Sequence, residues 1–115
     1  MTELVVLAVD DERPALDELD FLLRRRDEVA EVIGAGDATA ALRILTDRRV
    51  DAIFLDINMP GLSGLELAAV LRSYARPPAV VFVTAHDDKA VDAFEVGAVD
   101  YLLKPLREER LAQAI

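Results

Sequence analysis

Apolar, largely β-branched residues gather in five short runs along the chain: Leu4 to Val9, Val29 to Ile33, Ala52 to Leu55, Ala79 to Val83 and Val99 to Leu103. Each run is bounded by polar or chain-breaking residues, and runs of this length and composition predict β-strands. Between them the apolar period changes. Leu16, Leu19 and Leu23, then Ala38, Ala41, Leu42 and Leu45, then Leu67, Ala68 and Leu71 recur every three or four residues, which is the spacing of one helix face. The punctuation agrees: Pro14 suits a first helical turn, Asp37 can cap the second helix, and Pro77-Pro78 is expected to end the third.

The third and fourth runs are almost continuously apolar, as strands covered by helices on both faces must be. Strict alternation of strand and helix then implies a parallel sheet in an α/β fold. Composition narrows the picture further. A chain of 115 residues holds one core, and 53% hydrophobic with 30% charged residues can bury enough surface to offset chain entropy, which excludes a disordered or repetitive polypeptide. The 22 acidic residues against 13 basic ones leave a formal charge of −9, a surface that repels nucleic-acid phosphates and anionic lipid. Cysteine is absent, which removes disulfides, thiolate catalysis and cysteine-held metals. Met1-Thr2-Glu3 has no basic leader, and no apolar run approaches the ~20 residues of a membrane helix. A soluble, cytoplasmic protein without a membrane partner is expected. The chain stops at Ile115 inside what reads as a fifth helix, so we expect that helix to be truncated here.

In an open parallel sheet, ligands bind beyond the carboxyl ends of the strands, where the strand order switches. Those ends carry Asp10-Asp11-Glu12 after the first run, Asp56-Ile57-Asn58 after the third, Thr84-Ala85 after the fourth and Lys104-Pro105 after the fifth. If strands one and three are neighbours, the carboxylates of Asp10, Asp11 and Asp56 meet in one cleft and require a cation. Hard oxygen ligands suit Mg²⁺ or Mn²⁺, ions that keep several waters and accept a phosphoryl group. Lys104 can neutralise one phosphoryl oxygen and Thr84 can hydrogen-bond another, with the metal on the third. Phosphoryl transfer then needs only a positioned nucleophile and balanced charge, and Asp56 can be that nucleophile. Singly, each of these residues is more often a cap, a turn former or a solvated side chain. Their conjunction at successive strand ends carries the reading. Gly61 and Gly64 belong to no phosphate-cradling motif, and Arg24-Arg25-Arg26 closes the first helix, where cations suit the helix dipole.

Val9-Asp10-Asp11-Glu12, Leu55-Asp56-Ile57-Asn58-Met59-Pro60 with Gly64, Val83-Thr84-Ala85, and Tyr101 with Lys104-Pro105 resemble the receiver domains of bacterial two-component response regulators, over nearly the whole chain. The resemblance implies a flavodoxin-like (βα)5 doubly wound sheet in the order 2-1-3-4-5, with residues 1–115 forming one receiver domain. It implies that Asp56 accepts a phosphoryl group from a sensor histidine kinase. Asp11, Asp56 and the Asn58 backbone carbonyl would coordinate Mg²⁺, with Asp10 acting mainly through water. It also implies a switch pair of Thr84 and Tyr101 and a cis peptide at Lys104-Pro105. By the same resemblance Asn58 and His86 tune the rate at which water attacks the phosphoryl group, although His86, the sole histidine, also reads as an exposed loop residue.

A finer resemblance, carried by Phe82 to Asp87 and Ala90 to Pro105, is to the LytTR class. Members of that class carry a mostly β DNA-binding domain beyond the receiver and regulate transcription as dimers. Contact with DNA is then expected only through such a C-terminal domain. Homodimerisation on phosphorylation is expected across the fourth helix, fifth strand and fifth helix, where Ala90, Val91, Phe94, Leu106 and Leu111 stand as interface or as core. No enzymatic turnover is expected beyond self-phosphotransfer and slow self-dephosphorylation. Two other readings of the same acids stay open. One is a Mg²⁺-dependent phosphatase with an aspartyl-phosphate intermediate, against which Asn58 stands where a second acid is wanted. The other is a receiver-like interaction module that works without phosphorylation.

Overall fold

All five apolar runs become strands in the computed structural model, which describes residues 3–59, 61–85 and 97–114. The order along the chain is β1 (Leu4–Val9), α1 (Arg13–Arg24), β2 (Val29–Ala35), α2 (Ala38–Asp47), β3 (Ala52–Leu55), α3 (Gly64–Leu71), β4 (Ala79–Thr84), β5 (Asp100–Leu103) and α4 (Glu108–Ala114). The helix expected between β4 and β5, with His86, Ala90, Val91 and Phe94, lies outside the described residues, as does Pro60. The strands form one parallel sheet in the order β2-β1-β3-β4-β5. β2 runs two residues beyond its apolar run because Gly34 and Ala35 still pair with Ala8 and Val9.

Alternation along each strand sorts the core into two layers. Leu7, Val9, Ile53, Leu55 and Phe82 pack with Ala38 and Ala41 of α2 and Leu67, Ala68 and Leu71 of α3. Val6, Ala8, Phe54, Val81, Val83 and Leu102 pack on the other face with Leu16, Leu19 and Leu23 of α1 and Leu111 of α4. Leu111 is therefore core and gives nothing to a surface. The bidentate pair of Arg110 with Asp100, at 3.0 and 2.6 Å, fastens α4 to β5. Among the described residues no helix is long and apolar enough to cross a membrane.

Helix ends follow local chemistry. Pro14 occupies the first turn of α1, and Asp37 Oδ1 accepts the Ala40 N–H at 2.8 Å to open α2. α3 starts with a capping box in which Ser63 and Glu66 each accept the other's backbone N–H. Pro77-Pro78 does not end α3, contrary to expectation. The helix stops at Leu71, because the Ser73 hydroxyl and backbone N–H both turn back to the Val70 carbonyl, at 2.7 and 3.1 Å.

The β3–α3 loop folds tightly over the end of β3, with the Gly64 N–H donating to the Ile57 carbonyl at 2.8 Å. A Cβ on Gly64 would sit 2.1 Å from the Asp56 carbonyl oxygen and 2.8 Å from Ile57 Cα, and these backbone atoms have no room to yield. Gly61 has a φ of 77° but open space around it. Gly64→Ala is therefore expected to cost ~3 kcal/mol, a fall of about 10 °C or more in Tm. Gly61→Ala should cost only the ~1 kcal/mol of a left-handed conformation. Thermal denaturation of the two variants checks this, and equal losses would contradict it.

Candidate functional site

β1 has β2 on one side and β3 on the other, so the strand order switches between β1 and β3. Asp10 and Asp56 follow these two strands directly. Each is tied to its neighbour by one further backbone bond, Asp10 N–H to the Ala35 carbonyl (3.2 Å) and Asp56 N–H to the Val9 carbonyl (3.0 Å). Lys104 is anchored likewise to the end of β4 through its N–H and the Thr84 carbonyl, at 2.8 Å. Its side chain reaches over the ends of β4 and β3 to place Nζ 2.9 Å from Asp10 Oδ2 and 3.6 Å from Asp56 Oδ2. Asp10 and Asp56 are only 3% and 6% exposed, so this ammonium is the resident counter-charge for two buried carboxylates.

The three acids are not equivalent. Asp10 spends both oxygens inside the protein, Oδ1 on the Glu12 N–H at 2.9 Å and Oδ2 on Lys104. Asp11 is exposed and has no hydrogen-bond partner among the described residues. One oxygen from each of Asp10, Asp11 and Asp56 can be chosen so that all lie within 4.8 Å of one another, a spread compatible with ligands about a metal with ~2.1 Å bonds. Three carboxylates against one ammonium leave two negative charges unmatched, the deficit that a divalent cation fills. The donor set is all oxygen, which fits Mg²⁺ or Mn²⁺.

Burial pushes the Asp56 carboxyl above the ordinary aspartate range. Lys104 pulls it down, Asp10 adds to the rise, and the backbone N–H groups of Asn58 and Ile57 oppose it, with the net effect upward. Burial works against the Lys104 ammonium, but its hydrogen bond to Asp10 and the charges of Asp56, Asp10 and Glu12 outweigh that and raise it. Lys104 therefore stays charged throughout the physiological range.

Thr84 is buried at the end of β4, and Tyr101 is half-buried on β5, opposite Phe82, against the core layer of α2 and α3. The Asn58 side chain is exposed. The Lys104–Pro105 peptide bond is cis. His86 lies outside the described residues. The fold thus gathers Asp10, Asp11, Asp56 and Lys104 into one contact group. Two supporting features were missed in the sequence: the Glu12 N–H that orients Asp10, and the close approach of Gly64 to the Asp56 backbone. The Asp-x-Glu spacing of an Asx-type turn could have signalled the first.

Comparison with known proteins places these residues in a wider set. The sequence profile of the response regulator receiver domain matches residues 6–115. The sensory transduction protein LytT of Bacillus cereus is 50% identical over 113 residues, covering 97% of this chain and 46% of that protein. The transcriptional regulatory protein LytR of Staphylococcus aureus is 41% identical over 109 residues, covering 95% and 44%. The chain thus spans about half the length of the curated relatives it matches. Among solved structures, the response regulatory domain of protein mrkE from Klebsiella pneumoniae superposes with a TM-score of 0.88 at 41% identity, covering 96% of this chain and 90% of that one. The chemotaxis protein CheY4 of Vibrio cholerae gives a TM-score of 0.85 at 29% identity, covering 98% and 94%.

The raised Asp56 carboxyl sets a sign for stability. The folded state binds its proton more tightly than the unfolded chain does, so the contribution is present below the ordinary aspartate range and is lost as pH rises through the folded value. At neutral pH the ionised Asp56 is a cost. In chelator, Asp56→Asn is expected to raise Tm at pH 7 by a few degrees, on the scale of ~4 °C per kcal/mol for a domain of this size. The gain should shrink towards pH 4. A variant that melts below the parent at pH 7 would overturn this.

Proposed function

The chain belongs to the response regulator receiver domain family of two-component systems, and on that basis we propose that it is a phosphorylation-dependent switch whose acceptor is Asp56. The observation that carries this reading is the meeting of Asp10, Asp11 and Asp56 with the Lys104 ammonium at the topological switch. In the proposed reaction an Asp56 oxygen attacks the phosphorus of a phosphoimidazole on a sensor histidine kinase. An O–P bond forms, the P–N bond breaks, and the departing imidazole takes up a proton. Asp11, Asp56 and the Asn58 backbone carbonyl would hold Mg²⁺ or Mn²⁺, which when bound supplies positive charge to the phosphoryl oxygens.

The remaining work falls to the chain's own groups. The Glu12 N–H and Lys104 hold the Asp10 carboxylate in place, where it would act on a bound ion through water. Lys104, already 3.6 Å from Asp56, balances the charge of the transferred group. The Thr84 hydroxyl turns towards the phosphoryl oxygens, and Tyr101 follows inwards. The exposed Asn58 side chain, with His86, sets how readily water reaches the aspartyl-phosphate. This two-state shift alters the sheet edge at β5, where Leu103, and Val99 just before the strand, are exposed apolar residues at 47% and 59%. A dimer formed there would bring together two copies of a C-terminal DNA-binding domain of the LytTR kind in the longer protein.

Incubation with Mg²⁺ and acetyl phosphate should add a single phosphoryl group by intact mass, and the adduct should be absent in Asp56→Asn and in chelator. A parent chain that binds Mg²⁺ yet takes up no phosphoryl group would favour a module that works without phosphorylation. Turnover of a generic phosphomonoester would favour the phosphatase reading. Light scattering before and after phosphorylation checks the dimer, which an unchanged mass across concentration would remove.

A further inference from the structure

At the end of the sheet opposite Asp56, a cavity of about 280 Å³ opens between the α2–β3 loop and the α3–β4 loop. Arg48 and Arg49 line it from the first loop, and Tyr74, Arg76 and Pro77-Pro78 from the second. On a chain with 22 acids and 13 bases, arginines are expected to find carboxylates. Arg13, Arg24, Arg25, Arg26 and Arg110 each do, and Arg48 holds Glu31 through two contacts of 2.6 Å, whereas Arg43 and Arg107 stand singly without such a partner among the described residues. Arg49 and Arg76 share this concavity, yet neither makes an ion pair or hydrogen bond among the described residues. The acid in the cavity wall, Asp51, is committed elsewhere: its Oδ2 accepts the Val5 N–H at 2.8 Å. The Tyr74 hydroxyl and Asp51 Oδ1 are also without a partner among the described residues, so the groups left over are two cations, a hydroxyl and one carboxylate oxygen.

We propose that this cavity binds a small organic phosphate monoester. Asp51 keeps its charge on a neutral N–H, so Arg49 and Arg76 leave a net positive charge in the cavity, and their planar donor forks suit phosphate oxygens. The Tyr74 hydroxyl adds a third donor. Leu45, the Tyr74 ring and the two prolines form an apolar wall for the organic part. The volume falls just below the ~300 Å³ at which drug-sized ligand sites begin, which suits a compact ligand. The site is independent of the Asp56 chemistry. The four residues of β3 separate them, a strand length of ~13 Å.

The test is a titration of the ¹⁵N-labelled chain with phenyl phosphate, in chelator so that no metal recruits phosphate to Asp56. Inorganic phosphate, benzoate and NaCl at matched ionic strength serve as the comparison arms. Saturable amide shifts confined to residues 45–51 and 73–79 are expected, with inorganic phosphate and benzoate each binding more weakly. Arg49→Gln with Arg76→Gln should weaken phenyl phosphate at least tenfold. Both side chains are exposed, so the Tm of the double variant is expected to stay near that of the parent. Shifts that match the NaCl arm, shifts at Asp10 and Lys104 instead, or unchanged affinity in the double variant would overturn the site. Equal binding of benzoate would overturn the phosphate class, and equal binding of inorganic phosphate the organic part.

Discussion

Among the described residues the Lys104 ammonium is the cation that stands against both buried carboxylates, Asp10 and Asp56. Asp10 and Asp56 are brought together by strand order alone, since β1 and β3 are neighbours at the switch, and their mutual repulsion in a water-poor setting would otherwise drive the ends apart. The cation that prevents this comes from the far edge of the sheet. It works only if β5 is docked on β4 and the backbone after Leu103 is pinned, which the Lys104 N–H to Thr84 carbonyl bond achieves. The Arg110–Asp100 clamp and the burial of Leu102 and Leu111 thus bear on the site as well as on packing, because they hold the strand from which Lys104 projects.

Much of this was legible in the residues because the pattern was redundant. Four of the five strands were bounded to within a residue by apolar runs, and in β1, β3 and β4 burial on both faces tolerates little else. Asp37 announced the start of α2 by its chemistry alone. The acids and Lys104 stood out because each follows an apolar run, where a parallel sheet presents its ligands. What escaped depends on particular contacts that residue type and spacing do not announce. Nothing local to Pro77-Pro78 shows that Ser73 has already ended α3 by returning to Val70. The packing of Leu111 could not be told from exposure by spacing in so short a helix, and Gly64 reads as a turn residue until the Asp56 carbonyl is seen against its Cα.

The two ends of the sheet balance charge in opposite ways. At the carboxyl ends, acids outnumber the single cation and the excess is negative. At the amino ends, Asp51 is absorbed by the β1 backbone and arginine is in surplus. A net charge of −9 conceals this polarity, which appears only when each carboxylate is followed to its partner.

Tyrosine placement has an optical consequence. The chain has no tryptophan and two tyrosines, Tyr74 in the loop at one end of the sheet and Tyr101 on β5 near the other. Their emission is therefore not masked by a stronger chromophore, and each ring stands beside a different charge environment. Replacing either ring by phenylalanine would leave an intrinsic fluorophore that watches one end alone, so events at the two poles can be followed separately in one unlabelled molecule.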